Sequence, residues 1–314
     1  MPDIADPVAV ALDRLGDLGE RDVPLGPLTT YRVGGSAAVF AKVRRSDLPR
    51  VAAAARDSGL PVLVVGRGSN MLVADRGFDG IAVTLVGAEE TIDIGAATGT
   101  VDAAAGVSLP VLARKTAAHG LTGFEWAVGV PGSIGGAVRM NAGGHGSDMA
   151  ASLVHAVVVD LQDSGQEVVV PVSALGLGFR SSAIAETTVV VEARLQLAPG
   201  DTEASKRLID EIVAWRRTNQ PGGQNAGSVF VNPVPGEVTC GALIDAAGLR
   251  GFRIGSAAVS DKHANFIQAD PDGSADDVLA VMRAVAARVA ETSGYVLRSE
   301  IRLVGFDDDR VEVH

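Results

Sequence analysis

The stretch GFEWAVGVPGSIGGAVRMNAGGHG, residues 123–146, decides how this chain is read. It sets Gly129, Gly132, Gly135, Gly136, Gly143, Gly144 and Gly146 around Ser133 and Asn141. Glycine permits bends that a Cβ would block and lets backbone N–H groups approach a bound anion. The spacing suits a loop wrapped around a pyrophosphate, with Ser133 and Asn141 donating to its oxygens. A series of tight bends in a β-rich domain would use the same residues. No Lys-Ser or Lys-Thr follows a glycine here, so the segment is not the phosphate loop of an ATPase.

A second glycine loop lies upstream in VLVVGRGSNMLVADRGFDG, residues 62–80. A strand runs into Gly66, Arg67, Gly68, Ser69 and Asn70, where two glycines admit a phosphate and Ser69 and Asn70 add donors. The nicotinamide fingerprint Gly-x-Gly-x-x-Gly fails, because Met71 stands at the third glycine and Gly77 and Gly80 interrupt any helix. An ordinary turn between strands explains this loop taken alone. Two such loops in one chain favour a dinucleotide. Of 38 glycines, 4 fall in residues 66–80 and 9 in 120–146, so the excess sits in these loops.

Around them the chain is 314 residues long, 47 % hydrophobic and 21 % charged, enough to bury a core in one large or two to three smaller domains. A formal charge of −11 and only 4 % aromatic residues argue against a nucleic-acid partner. The single cysteine, Cys240, excludes an internal disulfide and a cysteine-based metal centre, and five scattered histidines give no metal spacing. Asp3 and Asp6 stand where a secretory leader carries basic residues, and no apolar run spans a bilayer, which predicts a cytoplasmic protein with no membrane contact.

Periodicity predicts a short helix over 6–19, an extended linker at 23–27, and a helix 48–58 capped at Ser46-Asp47 and closed by Gly59. A strand follows at 61–65. Further on come a helix capped by Ser108, the strands LVHAVVVDLQ and TTVVVEARLQL, and a helix capped by Thr202. Ser274-Ala275-Asp276-Asp277 reads as a capping box, and YVLRSEIRLVGF as one strand. Strands and helices mix without a βαβ rhythm, so the fold class is α+β. The expected organisation is an N-terminal helical extension (1–20), segments 21–88 and 89–199, and a C-terminal α+β domain (200–314). The acidic end, Asp307-Asp308-Asp309, reads as a solvated tail.

The ordered blocks TTYRVGG, VVGRGSNMLV, GFEWAVGVPGSIGGAVRMNAGGHG, GFRSS, AGSVFVNP, CGALIDAAGLRGFRIGSAAVSDKHANFI and LRSEIRLVG resemble the UDP-N-acetylenolpyruvoylglucosamine reductases over about residues 20–305. The resemblance implies an FAD-binding fold of the vanillyl-alcohol-oxidase type in two subdomains, 21–88 and 89–199, followed by a substrate-binding domain. It implies non-covalent FAD, NADPH as hydride donor, and UDP-N-acetylglucosamine-enolpyruvate as the substrate reduced to UDP-N-acetylmuramate for peptidoglycan. The spacing of the blocks is that of the shorter class, which lacks an extra substrate-covering loop. By the same resemblance Gly66, Arg67, Gly68, Ser69 and Asn70 hold the cofactor. So do Gly129, Val130, Pro131, Gly132, Ser133, Gly135, Gly136, Asn141 and Gly143.

Such a reaction needs a group to stabilise charge developing on a carboxylate and a group to give a proton to carbon. Arg180, in GFRSS, suits the first task, since a guanidinium stays ionised and binds carboxylates through paired bonds; a surface arginine is the plain alternative. Ser228, in AGSVFVNP, is the proton donor by resemblance, against a turn serine bonding its own backbone. Glu300 would assist near the carboxylate only in its protonated form, against a surface Glu–Arg neighbour pair. In an extended segment Glu300 and Arg302 share a face, as do Ser228 and Asn232, which makes Asn232 and Arg302 candidates for gripping the substrate nucleotide. Phe179, Val231, Arg139 and His145 depart from the residues common in the family. An alcohol oxidase of the same flavin fold and a catalytically silent flavin-binding module remain as alternative functions. The oligomeric state and the choice between NADPH and NADH stay open.

Overall fold

The computed structural model describes residues 6–87 and 91–307. Asp3, Asp308, Asp309 and the boundary expected at 88/89 lie outside them. Seven helices are found among the described residues: α1 (Pro7–Leu15), α2 (Leu48–Ser58), α3 (Leu109–Ala118), α4 (Ile134–Met140), α5 (Thr202–Asn219), α6 (Cys240–Ala246) and α7 (Ala275–Ser293). The chain divides into two compact units, one of residues 1–22, 38–67 and 79–216 and one of 23–37, 68–78 and 217–314. This differs from the successive segments expected. The physical reason is that TTYRVGG and the 68–78 segment build into the core of the C-terminal residues, where Tyr31, Val33 and Leu72 are buried with α7.

The first unit is organised by a five-stranded antiparallel sheet, in the order Glu167–Pro171, Leu153–Asp160, Thr188–Gln196, Thr100–Ala104, Ile92–Gly95. Its central strands carry apolar side chains on both faces. Ala156 and Val158 pack into one core with α3 and the glycine segment. Val157 and Val159 pack into the other, with α1 and α2. Period-two alternation thus serves two cores, which is why LVHAVVVD reads as an unbroken apolar run. A second sheet contains Val62–Val64 pairing in parallel with Ile81–Val83. The linker expected at 23–27 instead ends a strand, Gly19–Pro24, at the edge of that sheet. An edge strand tolerates Pro24 because its outward N–H needs no partner.

In the second unit α7 lies on a three-stranded sheet of Arg253–Ile254, Ala257–Val259 and Ile267–Ala269. Val278, Met282, Val285 and Val289 line its buried stripe, as the sequence period requires. The expected capping box is only half made. Ser274 Oγ accepts from the Asp277 N–H at 3.2 Å, but the Asp277 carboxylate turns to Ser256, and Asp75 supplies the remaining cap. The cap of α5 is likewise shifted by one residue. Asp201 Oδ1 accepts from the Ala204 N–H at 2.6 Å, a role expected of Thr202.

YVLRSEIRLVGF is not one strand. It forms Arg298–Ser299, paired antiparallel with Phe230–Val231, and Arg302–Val304, paired in parallel with Met71–Val73. The break falls at Glu300-Ile301, so the shared face expected for Glu300 and Arg302 does not run through. The strand Met71–Val73, unread in the sequence, exists because Arg302–Val304 supplies its partner from 231 residues away.

Candidate active site

In the first unit the glycine segment is a 3₁₀ turn, Glu125–Gly129, leading through Pro131 and Gly132 into the short α4. Ser133 caps α4, accepting from the Gly136 N–H at 3.4 Å. A Cβ on Gly66 would sit 3.0 Å from Ser133 Oγ, so the two glycine loops meet here. The N–H groups of Gly66 and Arg67 donate to no acceptor among the described residues. The buried Trp126 indole N–H, three residues before Gly129, also lacks a protein acceptor. An oxygen-rich anionic ligand fits such a group of N–H donors.

Asn141 corrects one expectation. Its Nδ2 donates to Asp148 Oδ2 at 3.1 Å and to Gly178 O at 2.9 Å, while its Oδ1 accepts from the Ala150 N–H at 2.9 Å. Both amide hydrogens are spent on the protein, so it has none for a pyrophosphate. Instead it fastens the Arg180 turn to the glycine segment. That turn is closed by Gly178 and Ser181, with Phe179 and Arg180 at its apex. Arg180 takes a left-handed φ of +55°, a costly conformation for a side chain with a Cβ, and its Nη2 donates to Gly143 O at 2.8 Å. The ring of Phe179 lies 5.1 Å from the guanidinium and is otherwise exposed.

In the second unit the backbones carrying Ser228 and Glu300 are joined directly. The Glu300 N–H donates to Val229 O at 2.8 Å. Asn70 braces the other side. Its Nδ2 donates to Glu300 O at 3.1 Å, and its own carbonyl accepts from the Arg302 N–H at 3.0 Å. The side chain assigned from sequence to a phosphate is thus engaged with the Glu300 backbone. Gly68, with a φ of +60°, brings its backbone against Leu28 O, where no Cβ has room. Asn232 Oδ1 accepts from the Cys240 N–H at 3.0 Å at the start of α6, which leaves its Nδ2 for other partners. The structure brings Ser228, Glu300, Asn232 and Arg302 into this one unit, while Arg180 belongs to the first.

Cys240 is fully buried, with Sγ 3.1 Å from Val231 O. Burial and then the charge of Glu300 push its thiol up to about 12, so it stays a neutral filler. Val231 is itself buried. Burial, then the nearby Arg216, lowers the pKa of His145, whose ring meets Trp215 edge-on at 5.2 Å. His119 ends α3 with Nδ1 2.8 Å from Lys115 O. Arg139 lends its carbonyl to Ser182 Oγ at 2.6 Å. Asn265, which the sequence reading passed over, is buried and bonded to Phe230 on both backbone groups. Its only sequence signal is a polar residue inside the apolar run ANFI. No cluster of three or more His, Cys, Asp or Glu side chains suited to a metal occurs among the described residues.

The chain is 41 % identical to the UDP-N-acetylenolpyruvoylglucosamine reductase of Heliobacterium modesticaldum, over 92 % of this chain and 91 % of that protein. It is 42 % identical to the enzyme of the same name from Gloeobacter violaceus, over 90 % of this chain and 95 % of that protein. It belongs to the UDP-N-acetylenolpyruvoylglucosamine reductase family. The family's C-terminal domain matches residues 218–304, the greater part of the second unit, and an FAD binding domain matches residues 36–169. The crystal structure of the Thermus caldophilus reductase superposes with a TM-score of 0.77 at 34 % identity, covering 90 % of this chain and 98 % of that one. Among the described residues no helix is long and apolar enough to cross a membrane.

Proposed function

We propose that this chain is an NADPH-dependent FAD flavoenzyme. It reduces the enolpyruvyl ether of UDP-N-acetylglucosamine-enolpyruvate to UDP-N-acetylmuramate in the cytoplasm, for peptidoglycan synthesis. The observation that carries the reading is 41 % identity to a reductase of that name over 92 % of the chain, and Arg180, Ser228 and Glu300 are the residues we assign to the reaction. When bound, FAD supplies the hydride it takes from NADPH. Gly66 and Arg67 would offer it free N–H groups, and the glycines at 129, 132, 135 and 136 would let the backbone of that segment approach it. The site's donors and arginines offset the global charge of −11, which would otherwise repel two anionic ligands.

The remaining work falls to the chain itself. Arg180, held at a fixed apex, pairs with the substrate carboxylate and stabilises the negative charge that spreads into it as the double bond is reduced. Ser228 Oγ gives its proton to the carbon bearing that charge. Glu300, ionised where it acts on Cys240, would donate a hydrogen bond to the same carboxylate once it has taken up a proton. Asn232 and Arg302 grip the nucleotide portion.

The purified protein should be yellow, bleach with NADPH, and recover its colour with the enolpyruvyl sugar nucleotide. Ser228→Ala should still bleach at the wild-type rate but recover slower by orders of magnitude. Unchanged recovery would refute the assignment of Ser228. Rapid recovery with dioxygen and none with the sugar nucleotide would indicate an oxidase, and a colourless protein a silent module.

A further inference from the structure

The stretch KHANFI, residues 262–267, carries a buried asparagine that the reaction does not consume. We infer that Asn265 is the positioning residue for Ser228, an inference that rests on Ser228 being the proton donor.

The segment that carries Ser228 has little sheet of its own. Phe230–Val231 is two residues long and pairs on one side with Arg298–Ser299. On the other side it has only an isolated bridge, between Ser228 and Phe266. Asn265 supplies what a full neighbouring strand would have given. Its backbone carbonyl accepts from the Val229 N–H at 2.9 Å. Its side-chain Oδ1 accepts from the Phe230 N–H at 3.1 Å, and its Nδ2 donates to Phe230 O at 2.9 Å. One residue thus satisfies three of the four backbone polar groups of Val229 and Phe230, directly after Ser228; the fourth, Val229 O, accepts from the Glu300 N–H. The amide acts as a peptide group would, offering one donor and one acceptor in the same plane.

The pairing is stiff for two reasons. Asn265 is only 3 % exposed, so water cannot replace either bond. Its own N–H is held by His263 Nδ1 at 3.2 Å, which fixes the residue from behind. Val229 in turn passes the constraint to Glu300 through its carbonyl. Losing either amide group of Asn265 leaves a buried partner unpaired and frees the Ser228 segment to shift. A displacement of about 1 Å at a reacting group costs about a hundredfold in rate.

The test is Asn265→Asp in the flavin-loaded full chain, alone and combined with Ser228→Ala. The carboxylate still accepts from Phe230 but sets an oxygen against Phe230 O. Flavin reduction by NADPH should stay within about twofold of wild type, and reoxidation by the enolpyruvyl sugar nucleotide should fall about a hundredfold at pH 8. At pH 6 it should recover at least about tenfold relative to wild type, because a protonated carboxyl restores the donor and repulsion from the carbonyl favours protonation. His263, bonded to the Asn265 N–H, Glu300, bonded to Val229 O, and Cys240, against Val231 O, are common to both proteins, so the difference in profile reads the substituted side chain. In the double variant Asn265→Asp should add nothing to Ser228→Ala. Equal losses in both half-reactions, no recovery at pH 6, or losses that multiply with Ser228→Ala would each overturn the inference while leaving Ser228 as donor. Wild-type turnover in Ser228→Ala alone would overturn both. If Asn265→Asp does not load flavin, Asn265→Ser is read by the same half-reaction split and double-variant comparison.

Discussion

Asp75 caps a helix from 200 residues away in sequence, and removing it should loosen the spine of the second unit. Its Oδ1 accepts from the Ala275 N–H at 2.9 Å and its Oδ2 from the Asp276 N–H at 3.2 Å, with Ser274 Oγ donating to Oδ2 as well. Ala275 is fully buried, so in Asp75→Ala its N–H is left without water, at about 1–2 kcal/mol. The Asp276 N–H is exposed and rehydrates. Loss of a negative charge at the helix N-terminus adds about 0.3–0.5 kcal/mol, the low end because Asp75 is itself exposed and screened. The sum is about 2 kcal/mol. Asp75→Asn keeps an acceptor for Ala275 and should lose about 0.5 kcal/mol. Hydrogen exchange of peptides covering 274–289 reads this locally: about thirtyfold faster opening for Asp75→Ala and two- to threefold for Asp75→Asn. Exchange in Asp75→Ala within twofold of wild type would refute the reasoning. Equal acceleration in the two variants would show that the charge, and not the acceptor, holds the helix.

Three further outcomes follow from particular contacts. Cys240 should resist alkylation in the native protein at pH 8 and react only on unfolding. Its thiol pKa is raised, so the neutral form is favoured on folding. That stability is full below the ordinary thiol value and lost as pH rises toward about 12, and Cys240→Ala should flatten the alkaline limb of a stability–pH curve. Glu125 is buried and accepts from Thr122 Oγ1 at 2.7 Å, from the Gly123 N–H at 2.8 Å and from Ser205 Oγ. Burial works to raise its pKa, but those bonds outweigh it and hold the carboxyl below its ordinary value, so its stabilisation is present at neutral pH and lost as pH falls through the lowered value. Glu125→Ala should cost about 3 kcal/mol in urea unfolding and weaken the acid limb. Arg45→Ala breaks contacts to both Glu167 and Glu192, yet Arg45 and Glu167 are exposed and Glu192 is only half-buried, so the same urea assay should register less than about 1 kcal/mol.

The glycine loops were legible because clustered glycines leave a local mark, whereas the left-handed turn at Arg180 left none. Gly66 to Asn70 and Gly129 to Gly143 could be singled out without knowing what surrounds them. The bounds of α2, after Asp47 and before Gly59 in the left-handed region, are as read, but the expected cap is not made: the Asp47 carboxylate accepts from the Arg44 N–H at 2.8 Å instead. What failed depended on distant partners. Asn141 and Asn70 look like free donors in sequence, and only the folded chain shows Asp148, Gly178 and Glu300 taking their amides. The break at Glu300 was invisible because its cause is a change of partner strand, from Phe230–Val231 to Met71–Val73.

By itself the sequence determined the fold class, the phosphate-sized glycine loops and the reductase family. The first two rest on residue types and on spacings that local geometry enforces, the family on the resemblance carried by its ordered blocks. The tertiary structure alone decided which residues hold which. It assigned 23–37 and 68–78 to the C-terminal core, since burying Tyr31, Val33 and Leu72 there satisfies apolar surface that neither short segment could cover alone. It also set Ser228 beside Glu300, through one hydrogen bond between residues 71 positions apart, Val229 and Glu300. A pairing of that range carries no local periodicity; it is selected by what remains unpaired once the rest of the chain has packed.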